Sequence, residues 1–136
     1  VPAPDASRRR RLAAAAAAAA VLASGLGVHL LAPGGFASDA AGDALYAALI
    51  HLLGVLCAPR APSGAVASAA LTWCAAVELF QLTGLPESWG AAVPPLTLVF
   101  GTVFAPQDLA LYAAGVAIAW GVDVAVTRAV RPRAAR

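Results

Sequence analysis

Five carboxylic acids fall in or beside stretches of chain that are otherwise strongly apolar: Asp39, Asp43, Glu78, Glu87 and Asp108. Carboxyls gathered away from any basic partner can share a proton, bind a cation, or act as general acid and base. Their spacing supplies neighbours. Gln81 follows Glu78 at i+3, Tyr46 follows Asp43 at i+3 and Tyr112 follows Asp108 at i+4, the offsets that share one face of a helix. Gln and Tyr are neutral hydrogen-bonding groups, suited to satisfying a carboxyl where no Arg is at hand. The expected pocket is therefore Asp43, Tyr46, Glu78, Gln81, Asp108 and Tyr112, with His29 and His51 as further candidates. His51 also reads as a helix-to-helix hydrogen bond, and Asp123 as an interface acid or a partner of Arg128. No catalytic set is legible: there is no Ser/His/Asp ordering, no H-E-x-x-H and no phosphate-binding glycine loop. Cys57 and Cys74 stand outside any Cys/His pattern with metal-ligand spacing, so they read as small apolar filler, and neither metal nor cofactor is implied.

The elements that must position these groups follow from composition. The chain has 136 residues, 61% hydrophobic and 12% charged. A soluble domain is about 45–50% apolar and about 25% charged, and one this small needs more polar surface than that to face water. The solvent around this domain is mostly lipid. An acid at the middle of a membrane helix costs roughly 2.5–3.5 kcal/mol on insertion scales, so each intramembrane acid requires compensation.

Four spans are expected, at residues 12–32, 43–58, 63–83 and 108–127, each near the ~20 residues that cross a bilayer. The first is Ala-rich and follows an Arg cluster, a pattern shared with signal peptides, but it is long for one and is read as a retained helix. In this register Asp43 opens the second span and Asp108 the fourth. Residues 89–104 are apolar but split by Pro94 and Pro95, too short to cross, and are read as a re-entrant or interfacial segment covering the acids. Trp89 suits an interfacial anchor. Gly115 with Ala119, and Ala117 with Gly121, are small-xxx-small pairs that permit close helix packing, within the chain or between two copies.

The basic residues set the expected orientation. Arg8, Arg9, Arg10 and Arg11 precede the first span, Arg60 lies between the second and third, and Arg128, Arg131, Arg133 and Arg136 follow the fourth. Four spans with both termini cytoplasmic put every Arg inside, as the positive-inside rule requires; a fifth crossing would not. The organisation expected is a cytoplasmic basic segment at 1–11, a transmembrane domain at 12–127 and a cytoplasmic basic tail at 128–136. A membrane-flanking basic tail of this kind is a topology signal, not a nucleic-acid site.

Three pieces in order carry a family resemblance: Gly42-Asp43-Ala44-Leu45-Tyr46-Ala47; Glu78-Leu79-Phe80-Gln81-Leu82; and Gly101, Phe104, Asp108-Leu109, Tyr112 and Gly115. The chain resembles, over residues 12–127, the small bacterial membrane proteins of domain-of-unknown-function family 2809. The E-x-x-Q and D-x-x-x-Y-x-x-G pieces are also similar to the VanZ-like membrane proteins, in which an Asn stands where this chain has Tyr112. The resemblance implies a four-helix membrane fold with no assigned enzyme reaction. VanZ-like proteins are associated with glycopeptide antibiotic resistance. Both patterns usually carry an Arg between the E-x-x-Q and the Asp, whereas residues 82–107 contain none, which weighs against an Arg–carboxylate pair or an anion site.

The expected fold is an all-α integral membrane bundle of four transmembrane helices, with a short Pro-broken segment before the last. The expected function is non-enzymatic: an acidic outer-leaflet pocket acting in the cell envelope on a lipid, a cationic compound or a partner protein. Two rivals stand beside it, an intramembrane acid–base enzyme using Glu78 or Asp108 and a subunit of a small carrier.

Overall fold

A computed structural model describes residues 5–130; Arg131, Arg133 and Arg136 lie outside the described residues. The chain is helical throughout its ordered elements: α1 (Ala6–Leu31), α2 (Phe36–Cys57), α3 (Ser63–Gln81), α4 (Leu85–Ala92), a 3-10 turn (Pro94–Leu96), α5 (Thr97–Phe100) and α6 (Asp108–Val130). Helices α1, α2, α3 and α6 are long and apolar enough to cross a membrane. At 19 to 26 residues they measure roughly 28–39 Å, against about 30 Å of hydrocarbon. This is a multi-pass helical membrane protein with the expected fold: four membrane-length helices and a Pro-broken segment before the last.

The start of α1, the turn at 58–62 and the end of α6 meet at one end of the bundle, called here the terminal end. The turn at 32–35 and all of the chain between α3 and α6 lie at the opposite, distal end. Helix α2 is central and packs against α1, α3 and α6.

Size is distributed inside out relative to a soluble bundle. The core is made largely of Ala47, Ala67, Ala70, Cys74, Tyr112 and Val116, continued by Ala14, Ala18, Leu52, Val55 and Val66. Large side chains such as Leu22, Leu53, Leu71, Leu79, Ile118 and Trp120 point outward. In lipid nothing drives large apolar groups inward, and small residues let backbones approach and gain van der Waals contact. Gly115 is the closest case: a Cβ there would collide with the Ala44 carbonyl of α2. Ala119, one turn on, is also buried. Gly121 is exposed with open space around it, so the expected Ala117–Gly121 pair packs against nothing within the chain.

The segment from Leu82 to Gln107 begins and ends at the distal end. Gly84, at φ 72°, turns the chain out of α3. Pro94 and Pro95 lack the N–H groups a continuing helix needs, so α4 stops at Ala92 and a 3-10 turn leads into α5. Gly101, at φ 63°, then reverses the chain toward α6. Trp89, Phe80 and Phe100 pack with ring centroids 5.4–5.9 Å apart, Phe100 edge-on to the other two, fastening the segment to α3.

Two boundaries differ from expectation. Helix α1 begins at Ala6, capped by the Asp5 side chain, so the Arg cluster is helical; hydrogen bonds from Ser7 hold the exposed Asp5 carboxyl below its usual range. Helix α2 begins at Phe36 instead of Asp43. Asp43 therefore lies seven residues, about 10 Å, inside the helix. The extra turns form because Gly35, at φ 149°, lets the chain reverse immediately after α1, and the Ser38 hydroxyl donates to the Pro33 and Gly35 carbonyls of that turn.

Candidate functional site

The distal end holds most of the expected polar groups, in two tiers. The inner tier is Glu78, whose side chain is fully buried. Its Oε1 accepts the Ala105 N–H at 2.6 Å and its Oε2 accepts the Tyr112 hydroxyl at 3.2 Å. This answers the missing Arg in residues 82–107: a backbone amide and a phenol serve the carboxyl where a guanidinium would. A carboxylate can accept from either kind of donor, and the bonds tie α3 to α6 and to the chain leading into it.

The outer tier is Asp43, Gln81, Gly101 and Tyr112, which form a wall common to two cavities. One, of about 270 Å³, opens between α1, α2 and α5 and is largely apolar, with Leu22, Leu26, Leu45, Leu49 and Leu98 in its lining. His29 and Tyr46 lie on it as well. The other, of about 350 Å³, is more polar and adds Asp39, Gln107 and Asp108. Asp43 and Asp108 line this second cavity together. Glu87, by contrast, lies in the first turn of α4 and lines neither cavity.

The Pro-broken segment closes this tier from above. The Tyr46 hydroxyl donates to the Val99 carbonyl at 2.8 Å and accepts the Trp73 indole N–H at 2.9 Å. Gln81 Nε2 donates to the Phe100 carbonyl at 2.8 Å. The opposite face of that amide, Gln81 Oε1, is buried and has no hydrogen-bond partner.

The model of a family described as a protein of unknown function, DUF2809, matches residues 33–116, more than half of the chain. The chain belongs to the DUF2809 family. No curated protein and no solved structure matches it. The DUF2809 region runs from the turn before α2 to the third turn of α6, so it contains every distal residue described above except His29 and the α1 side of the apolar cavity.

His51 is not part of the distal site. It lies near the terminal end, completely buried, with Nε2 3.4 Å from Asp123 Oδ2. Asp123 does not pair with Arg128, and it is not exposed. It accepts Arg10 Nε at 2.7 Å and Arg10 Nη2 at 2.6 Å in a bidentate pair. The remaining Arg10 donors go to the carbonyls of Pro59 and Ala61 and to the Ser63 hydroxyl. The physical reason is positional. An offset of five residues puts Arg128 on a different face of α6 from Asp123, whereas α1 begins early enough to aim Arg10 across the bundle. Arg10 and Asp123 both fall outside the DUF2809 match.

Sequence reasoning also missed Trp73 and the Ala105 amide. Trp73 sits on an apolar helix with no periodic signal. A backbone donor leaves no trace in residue type. Gly101 was legible only as part of the family pattern. Among the described residues no group of three His, Cys, Asp or Glu side chains is arranged to hold a metal ion.

Proposed function

We propose that this protein is a non-enzymatic plasma-membrane protein of the bacterial cell envelope, whose distal pocket faces the outer leaflet and binds a cationic compound or a cationic lipid head. The observation that carries this reading is that Asp43 and Asp108 line one polar cavity, which shares Asp43 with the neighbouring apolar cavity, at an end of the bundle that holds none of the described arginines. Arg8, Arg9, Arg10, Arg11, Arg60 and Arg128 all belong to the terminal end. By the positive-inside rule that end is cytoplasmic, with basic segments at 1–11 and 128–136 flanking the domain at 12–127. Two carboxyls on one cavity with no arginine beside them hold a proton or attract a positive ligand. The likeness of the E-x-x-Q piece to VanZ-like proteins supports a role in the envelope.

The enzyme reading has less support. Both oxygens of Glu78 are already engaged, which suits a carboxyl that organises the fold more than a general base. The carrier reading meets a buried layer of Ala47, Ala70, Cys74 and Val116 between the two polar ends.

The test uses the full chain in lipid nanodiscs and an apolar carbodiimide, which modifies carboxyls in low-dielectric surroundings. Labelling at Asp43 or Asp108, read by peptide mass spectrometry and suppressed by added organic cations, is the expected result. Labelling that no organic cation suppresses would overturn the cation-binding pocket.

A further inference from the structure

The distal pocket gathers acceptors. Asp43 and Asp108 present carboxyl oxygens to it. Gln81, only 7% exposed, lines both cavities, and its buried amide oxygen has no partner. Its Nε2 is spent on the Phe100 carbonyl, which leaves the carbonyl oxygen as the open half of the amide. The nearby phenols have committed their protons, Tyr112 to Glu78 and Tyr46 to Val99. A buried acceptor left unsatisfied is costly, so the protein gains when a ligand supplies the donor to Gln81. Such a ligand carries N–H or O–H groups, and the carboxyls select a positive charge. Among the described residues no three His, Cys, Asp or Glu side chains are grouped to hold a metal ion.

The second half of the ligand follows from the adjoining cavity. Its walls are Val21, Leu22, Leu26, Leu45, Leu49 and Leu98, it shares Asp43 and Gln81 with the polar cavity, and it opens between membrane-length helices. At about 270 Å³ it lies just under the roughly 300–1,000 Å³ that encloses a drug-sized molecule. It has room for the first part of one hydrocarbon chain, with the remainder in the bilayer.

We propose that the pocket binds the primary ammonium head of a single-chain amphiphile, with three acceptors, Asp43, Asp108 and Gln81 Oε1, taking the N–H donors and the tail lying along α1, α2 and α5. This rests on the cation-binding reading above and narrows it, because a quaternary ammonium has the charge but no N–H to give.

The experiment uses the full chain in nanodiscs and a decylamine bearing a diazirine on its chain. Photolabelled peptides should contain Leu22, Leu26, Leu45, Leu49 or Leu98. Dodecylamine should compete at a concentration at least tenfold lower than dodecyltrimethylammonium, and dodecanol should not compete. Gln81→Met, similar in shape but without the amide, should narrow the gap between the two amines, with thermal melts confirming that the variant folds. Should that variant fail to fold, Asp43→Asn provides the second measurement, and it should weaken dodecylamine competition at least tenfold. Equal competition by the two ammonium compounds, both weakened by Asp43→Asn, would overturn the primary-ammonium inference and leave the cation pocket standing. Equal competition by all three amphiphiles, or labelling indifferent to Asp43→Asn, would overturn both.

Discussion

Tyr112 donates its phenolic hydrogen to Glu78 across the α3–α6 contact, in the same small region where the Ala105 amide takes the other Glu78 oxygen. One buried carboxyl thus fixes the fourth membrane helix, the third, and the connection between them. Removing one neutral partner leaves the carboxyl half satisfied, and removing the carboxyl strands two donors. Tyr112→Phe should cost about 0.5–1.5 kcal/mol and Glu78→Leu more, since net hydrogen bonds are worth roughly that much and a stranded buried donor about 1–3. Glu78→Gln should fall between them. A double-mutant cycle on unfolding in bicelles should give a coupling energy for the pair; a coupling of zero would contradict the contact.

At the terminal end, Arg10 and Asp123 form a buried bidentate pair. Breaking such a pair from one side typically costs about 3–5 kcal/mol, while replacing both charges with apolar groups of similar volume is often neutral. Arg10→Met and Asp123→Leu should each lower thermal stability strongly, and the double variant should recover much of the loss. An additive double variant would show that the two side chains act separately.

Orientation is checked by single-cysteine labelling in a Cys57→Ser, Cys74→Ala background. With the Arg-rich end in the cytoplasm, cysteines at Ser38 and Ser88 should react with an impermeant maleimide added outside intact cells, and those at Ser7 and Ala134 should react only after permeabilisation. Outside labelling at Ala134 would reverse the orientation of α6.

Two glycines of α6 should behave oppositely. Gly115→Ala collides with the Ala44 backbone and should cost on the order of 1–3 kcal/mol, as overpacking does. Gly121→Ala meets open space and should be neutral to slightly stabilising, by at most about 1 kcal/mol of helix propensity. Equal effects on melting temperature would argue that Gly121 faces a second copy of the chain.

Gly101→Ala tests the cap over the acids. At φ 63° and ψ −157° this residue occupies a conformation nearly closed to side chains, worth roughly 1–3 kcal/mol of strain. The variant should loosen the 94–107 segment and raise the rate of carbodiimide labelling at Asp43 or Asp108. An unchanged rate would mean that the segment does not restrict access.

The count of membrane helices, the Pro-broken segment before the last one and the family were legible in the sequence alone. Each rests on a local property: hydropathy over about 20 residues, missing N–H groups at Pro94 and Pro95, and short motifs in order. Partnerships were not legible, because they depend on how helices rotate against one another. Asp43 was expected at a helix start and lies two turns inside, because the turn at Gly35 lets α2 begin early. Arg10 was counted as a topology charge, yet it spans the bundle to Asp123; His51 went with it to the terminal end. Glu78 was expected to need a polar side chain, and half of its satisfaction comes from a backbone amide that residue type cannot reveal. In a bundle whose core is mostly Ala and Val, apolar side chains impose little on rotation, so the few close backbone contacts and buried polar bonds decide the register, and only the packed structure contains them.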